Sequence, residues 1–203
     1  MSSGFRRALQ GFLVFLPMAA IGTVSHELGH VLAARASGVG TVLHYGSTEW
    51  LLPDSGLSTR DEAWMLLGGP ASTVALGTAG FVWLLRLRAR VPADAPLRVR
   101  GWIATLLALF WSRQVFNAAV CVVAFAVLGT WPTTDETTLA VLGGLSEWIT
   151  VWVPCLVGFL VCAAVVVRLH PVGHRLAFAV GGSLGALAGF ALWYGPVGPR
   201  LLP

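Results

Sequence analysis

The stretch LQGFLVFLPMAAIGTVSHELGHVLAARA, residues 9–36, is apolar for most of its length yet carries His26, Glu27 and His30 towards its far end. Roughly 20 helical residues cross about 30 Å of hydrocarbon, so this stretch is long enough to span a bilayer. Ionisable groups at that depth are costly, and within a span they mark a functional site by default. A second reading concerns its start. Arg6 and Arg7 ahead of Gly11 to Ala20 have the layout of a secretory leader, basic and then apolar. The apolar pattern continues past His30 to Ala36, so the segment is read as an uncleaved membrane helix.

Working outward, four more segments have the length and character of spans: Glu62 to Leu85, Trp102 to Leu128, Glu147 to Val167 and Leu176 to Trp193. The expected fold is an all-α polytopic bundle of about five spans, forming one domain over residues 1–203. Between the first two spans, Thr41 to Tyr45 and Ser47 to Leu52 have the makings of a short hairpin at the membrane surface. Arg86 to Arg100 is an Arg-rich loop that includes Asp94. Residues Gly129 to Ser146 form a loop with Pro132, Asp135 and Glu136. Residues Arg168 to Arg175 form a short basic turn.

Composition agrees with lipid as the solvent. Of the 203 residues, 56% are hydrophobic and only 11% charged, against roughly 25% charged in soluble domains. Mean hydropathy is +0.78. All 13 basic residues are Arg. They gather between apolar runs and form no aromatic-studded basic stripe, which argues against nucleic acid as a partner. With the N-terminus cytoplasmic, the inner segments carry Arg6, Arg7, Arg86, Arg88, Arg90, Arg98, Arg100, Arg168 and Arg175. The outer ones carry only Arg35, Arg60 and Arg200. The positive-inside rule therefore predicts N-inside and C-outside, in a multi-pass protein of the cell membrane. Cys121, Cys155 and Cys162 lie in apolar runs without metal-ligand spacing and read as small buried residues. Trp50, Trp102, Trp131 and Trp193 fall near span ends, where interfacial anchoring is expected.

His26 and His30 stand four residues apart, about 400° of rotation and about 6 Å of rise along an α-helix. Both imidazoles therefore project from one face. That spacing lets two neutral ring nitrogens reach one Zn²⁺ at about 2.0–2.1 Å. Glu27, at the edge of the same face, is positioned as a general base that takes a proton from the attacking water and returns it to the leaving amine.

The pattern His26-Glu27-Leu28-Gly29-His30, followed by Ala33-Ala34 and Gly38-Val39, resembles the HExxHxxxAxxxG signature of the site-2 protease family of intramembrane zinc metalloproteases. Gly68-Gly69-Pro70-Ala71 resembles that family's small GP-containing motif on a neighbouring helix, where glycines admit close approach to the metal helix. The resemblance covers about the first 75 residues. It implies peptide-bond hydrolysis in or near the membrane, with a membrane-protein or peptide substrate and a carboxylate as third zinc ligand. It also implies a metal site towards the cytosol, whereas the Arg distribution predicts one towards the outer side.

The family draws its third ligand from an Asp-Gly pair on a later helix, and this sequence has none. The late acidic candidates are Asp135, Glu136 and Glu147. Under the predicted topology the loop holding Asp135 shares a membrane side with His30 and Gly68-Gly69-Pro70, whereas Asp94, His170 and His174 lie opposite. A carboxylate within reach completes a three-ligand catalytic site, which favours Asp135. Thr134-Asp135-Glu136 also has the form of a helix start. Glu49, if the hairpin folds back, and Asn117 are the other candidates. Arg113 and Asn117, four apart in the third span, share a face. They read either as substrate-binding and site-supporting groups or as interhelical hydrogen-bonders. His44 reads as a surface residue, and His170 with His174 as part of a basic turn. The rival to the hydrolase is a zinc-binding membrane protein acting only as a partner. A transporter fits less well, for want of internal repeats or charges spread over several spans.

Overall fold

The computed structural model describes residues 3–51, 56–92 and 95–203. Asp94 and Leu52, which figure in the loop and hairpin expectations, lie outside the described residues. Five helical segments are long and apolar enough to cross a membrane: Gly4–Ala36, Thr59–Arg88, Val99–Leu128, Glu147–Leu169 and Val172–Leu201.

The first segment is not one helix. It is α1 (Ser3–Phe15) followed by α2 (Met18–Ala36), broken at Leu16 and Pro17. Proline has no N–H and its ring presses on the preceding turn, so the helical hydrogen-bond ladder is interrupted at Pro17. The consequence is a change of partner. α1 packs along α8 (Arg175–Leu192), whereas α2 packs chiefly on α3 (Thr59–Arg88). Both pairings rest on glycine. A Cβ at Gly181, Gly185 or Gly189 of α8 would strike the backbone of Ala8, Phe12 or Leu16. A Cβ at Gly29 of α2 would strike the carbonyl of Gly68 in α3, and one at Gly68 the carbonyl of Gly29. Without a strong hydrophobic drive between helices in lipid, such backbone contact is what close packing supplies.

Between α2 and α3 lies an antiparallel hairpin, β1 (Gly40–Leu43) and β2 (Thr48–Leu51), with Thr41 opposite Trp50 and Val42 opposite Glu49. It is shorter than the expected strands but in the expected place. The third span is α4 (Val99–Ala108) and α5 (Ser112–Leu128), joined by a tighter turn at Leu109–Trp111. Gly129, at φ 73°, ends α5 in the left-handed conformation that a side chain disfavours.

A short helix then intervenes, α6 (Asp135–Gly143), before α7 (Glu147–Ala164). Its start is fixed by a reciprocal cap. Thr134 Oγ1 accepts from the Thr137 N–H, and Thr137 Oγ1 accepts from the Thr134 N–H. The chain closes with α9 (Gly198–Leu201).

The connections segregate by end. At one end the C-terminal segment holds the hairpin: the Tyr45 N–H donates to Leu202 and the Trp193 indole N–H to the Tyr45 carbonyl. Trp193 is therefore a buried packing residue and not an interfacial anchor, because its N–H is matched inside the protein. At the other end Arg7 of α1 donates to the carbonyl of Gly173 in the Arg168–Arg175 turn. His170 in that basic turn is buried. Its ring stacks on Phe178 at 3.7 Å and meets Trp102 edge-on. The three cysteines are free thiols, Cys121 buried and the other two half-buried.

Candidate metal centre

The four-residue spacing in α2 puts His26 and His30 side by side, both almost wholly buried against α3. Their Nε2 atoms are 3.2 Å apart. Asp135, the first residue of α6, brings Oδ2 to 2.9 Å from Nε2 of His26 and 3.3 Å from Nε2 of His30. Among the described residues, His26, His30 and Asp135 are the group whose ligand atoms crowd together in this way.

The far side of each ring decides its tautomer. Nδ1 of His30 lies 2.8 Å from the main-chain carbonyl of Met65, which can only accept, so Nδ1 carries the proton. Nδ1 of His26 lies 3.0 Å from Thr73 Oγ1. That hydroxyl donates to the carbonyl of Gly69 and so accepts from the ring. Neutral imidazoles held this way present both Nε2 lone pairs to each other and to the carboxylate. Three acceptors converge, and a proton or a cation must lie among them.

The donor set fits zinc. Bonds of about 2.0–2.1 Å to a tetrahedral ion imply ligand atoms roughly 3.3 Å from one another. The three separations here are 2.9, 3.2 and 3.3 Å. Two imidazoles and a carboxylate could hold such an ion through three protein ligands. Charge points the same way. The adjoining cavity, about 570 Å³, is lined by Glu27, Asp135 and Glu136 against the single guanidinium of Arg113. When all are ionised, two negative charges stand in excess.

The helix behind the site is built for close approach. A Cβ at Gly69 would clash with Nε2 of both His26 and His30. Pro70 removes one N–H from α3 and loosens the turn before it. The Met65 carbonyl that receives His30 lies in that turn. Ser72 Oγ donates to the Ser25 carbonyl at 2.9 Å and ties the two helices together beside the ligands.

Glu27 is also buried and lines the cavity. Strand alternation turns Thr48 inward, and its hydroxyl lies 3.0 Å from Oε2 of Glu27 and 3.2 Å from the Glu27 carbonyl. The same alternation turns Glu49 outward. Glu49 is 65% exposed and pairs loosely with His44 at 3.5 Å, so it is no ligand to this centre. His44 also meets the C-terminal Pro203 carbonyl. Asn117 is engaged from its amide nitrogen: Nδ2 donates to Oε2 of Glu136 at 2.8 Å. Arg113 and Asn117 both line the cavity. Burial pushes the Glu136 carboxyl above its usual range, against the pull of Arg113 and the Asn117 hydrogen bond. Trp50 lines the cavity too, and its buried indole N–H has no partner.

Sequence reasoning did not find Thr73, Thr48, Trp50, the Met65 carbonyl or the Asn117–Glu136 pair. One signal existed for Thr73, four residues after Gly69 and hence on the same face of α3. No protein-family model, curated protein or solved structure matches the chain.

Proposed function

We propose that this chain is a membrane-embedded zinc metallopeptidase of the site-2 protease type, which hydrolyses a peptide bond in or near the membrane. The observation that carries the reading is the convergence of Nε2 of His26, Nε2 of His30 and Oδ2 of Asp135 while both ring protons are engaged elsewhere. These three residues would hold the ion. Bound zinc polarises a scissile carbonyl and lowers the pKa of water.

The remaining chemistry falls to the protein. Glu27 accepts a proton on Oε2 from the attacking water and delivers it to the leaving nitrogen. Thr48 keeps that carboxylate in one orientation through its hydroxyl. The Trp50 indole N–H and the side chains of Arg113 and Asn117 line the space a peptide would occupy. The apolar helices support placement in a lipid membrane. The Arg distribution favours a cytoplasmic N-terminus in the cell membrane, with the centre nearer the outer face.

Two measurements on the purified protein test this. Zinc should be present in stoichiometric amount in both the wild type and Glu27→Gln. Peptide cleavage should fall in the variant by roughly 10²–10⁴-fold. Cleavage undiminished in Glu27→Gln defeats the hydrolase reading. Zinc without cleavage in either protein leaves a zinc-binding partner protein in its place.

A further inference from the structure

At the end of the molecule remote from the metal centre, Arg7 of α1, Arg168 at the end of the fourth span, and His174 and Arg175 at the start of α8 surround a cavity of about 370 Å³. Among the described residues no acidic side chain lines it. Arg7 and Arg175 are each committed through one hydrogen bond to main-chain carbonyls, of Gly173 and His170. Their guanidiniums are thus fixed in place with donors to spare. Arg168 is exposed and makes no hydrogen bond or ion pair among the described residues.

The imbalance is not local accident. Among the described residues at this end, 3–15, 86–92, 95–101 and 168–178, there is no Asp or Glu. A gathering of cations without counter-charge repels itself and is relieved by a bound anion. The first turn of α8 adds its uncapped N–H groups and the positive end of the helix dipole.

A second observation points to a ligand here. His170 forms part of the cavity wall, is 3% exposed, and its Nε2 has no protein partner. Buried ring nitrogens are rarely left so unless water or a bound molecule meets them. Burial first, and then the charges of Arg88, His174 and Arg175, push this imidazole down to about 4. It is therefore neutral and adds no further repulsion. Beside it a recess of about 20 Å³, bordered by Gln10, Trp102 and Phe178, has room for a single water.

We propose that this Arg7–Arg168–His174–Arg175 cavity binds a phosphate group, carried by the headgroup of an anionic membrane lipid or by free phosphate. Guanidiniums suit phosphate oxygens through paired N–H donors. The cavity lies at the ends of the first, fourth and fifth apolar segments, where headgroups of a bilayer sit. Nothing in this inference depends on the metal centre or on catalysis.

The test uses the full chain in nanodiscs of phosphatidylcholine alone or with phosphatidylglycerol, and in neutral detergent with inorganic phosphate. Thermal midpoint and lipid retention are followed for wild type, Arg168→Gln and Arg90→Gln. Arg90 is exposed at the same end but does not line the cavity. The wild type should be stabilised by phosphatidylglycerol over phosphatidylcholine. Arg168→Gln should need about fivefold more anionic lipid for the same shift, and Arg90→Gln should behave as wild type. If inorganic phosphate alone reproduces the Arg168-dependent shift, the ligand is the free ion; if only the lipid does, it is the headgroup. Equal responses to both lipids together with no Arg168-dependent shift in inorganic phosphate, or equal losses in the two variants, overturn the site.

Discussion

Gly69 faces His30 so closely that one methyl group on its Cα would clash with the His30 Nε2, and with His26 Nε2 as well. The metal centre is thus shaped as much by a missing side chain as by the ligands. Gly69→Ala should push the two rings apart and lower zinc content severely. Helix propensity favours Ala over Gly by about 1 kcal/mol, so the protein should still fold. Elemental analysis after purification checks this. A stoichiometric zinc content in a folded Gly69→Ala protein would contradict the close approach described.

Thr73 acts through His26 without reaching the ligand cluster. Its hydroxyl takes the Nδ1 proton and passes its own to Gly69. Thr73→Val keeps the shape but removes the acceptor, freeing the ring to change tautomer. Zinc affinity should fall by about 10–100-fold, the usual range for such outer partners. Thr73→Ser should restore most of it. Chelator competition reads both. Equal affinities in wild type and Thr73→Val would mean the tautomer is not held from this side.

The spans and the facing of His26 with His30 were legible because both rest on local periodicity: apolar length for the first, a four-residue step for the second. Asp135 was reachable by topology, since five alternating spans put its loop on the side of His30. The hairpin followed from its short β-rich runs. The break at Pro17 was written in the sequence, but a hydropathy reading passes over a single proline. Other features were not legible because they join elements far apart in the chain. The Met65 carbonyl meets His30 only once Gly29 and Gly68 bring two backbones together. His170 is buried where Trp102 and Phe178, from two helices far apart in the chain, close on its ring. The inward turn of Thr48 and outward turn of Glu49 depend on register, where a shift of one residue exchanges the two.

Glu136 provides a pH test. Its carboxyl is raised by burial, so the folded state binds the proton more tightly than the unfolded chain. Its contribution is therefore most favourable below the unfolded carboxylate pKa and declines as pH rises through the folded value. Glu136→Gln keeps the partner for Asn117 and removes the buried charge. Chelator-treated variant should melt above wild type at neutral pH, and the gap should close as pH falls through the Glu136 pKa. Parallel curves across that window would show that burial does not govern this carboxyl.

The indole of Trp50 carries a donor with nothing to donate to, in a side chain that also packs beside Ala34, Val39 and Met65. Those two features make opposite predictions for Trp50→Phe. If the N–H serves a substrate carbonyl, kcat/KM should fall by about three- to tenfold, the scale of one hydrogen bond. The phenyl ring should preserve most of the packing, so the thermal midpoint should move little. A lowered midpoint with unchanged kcat/KM would assign the indole to packing alone. Kinetics on a cleaved peptide, measured beside the melt of the same preparation, distinguish the two. The cavity position favours the first outcome, because an unpaired buried donor costs about 1–3 kcal/mol in a protein with no ligand to receive it.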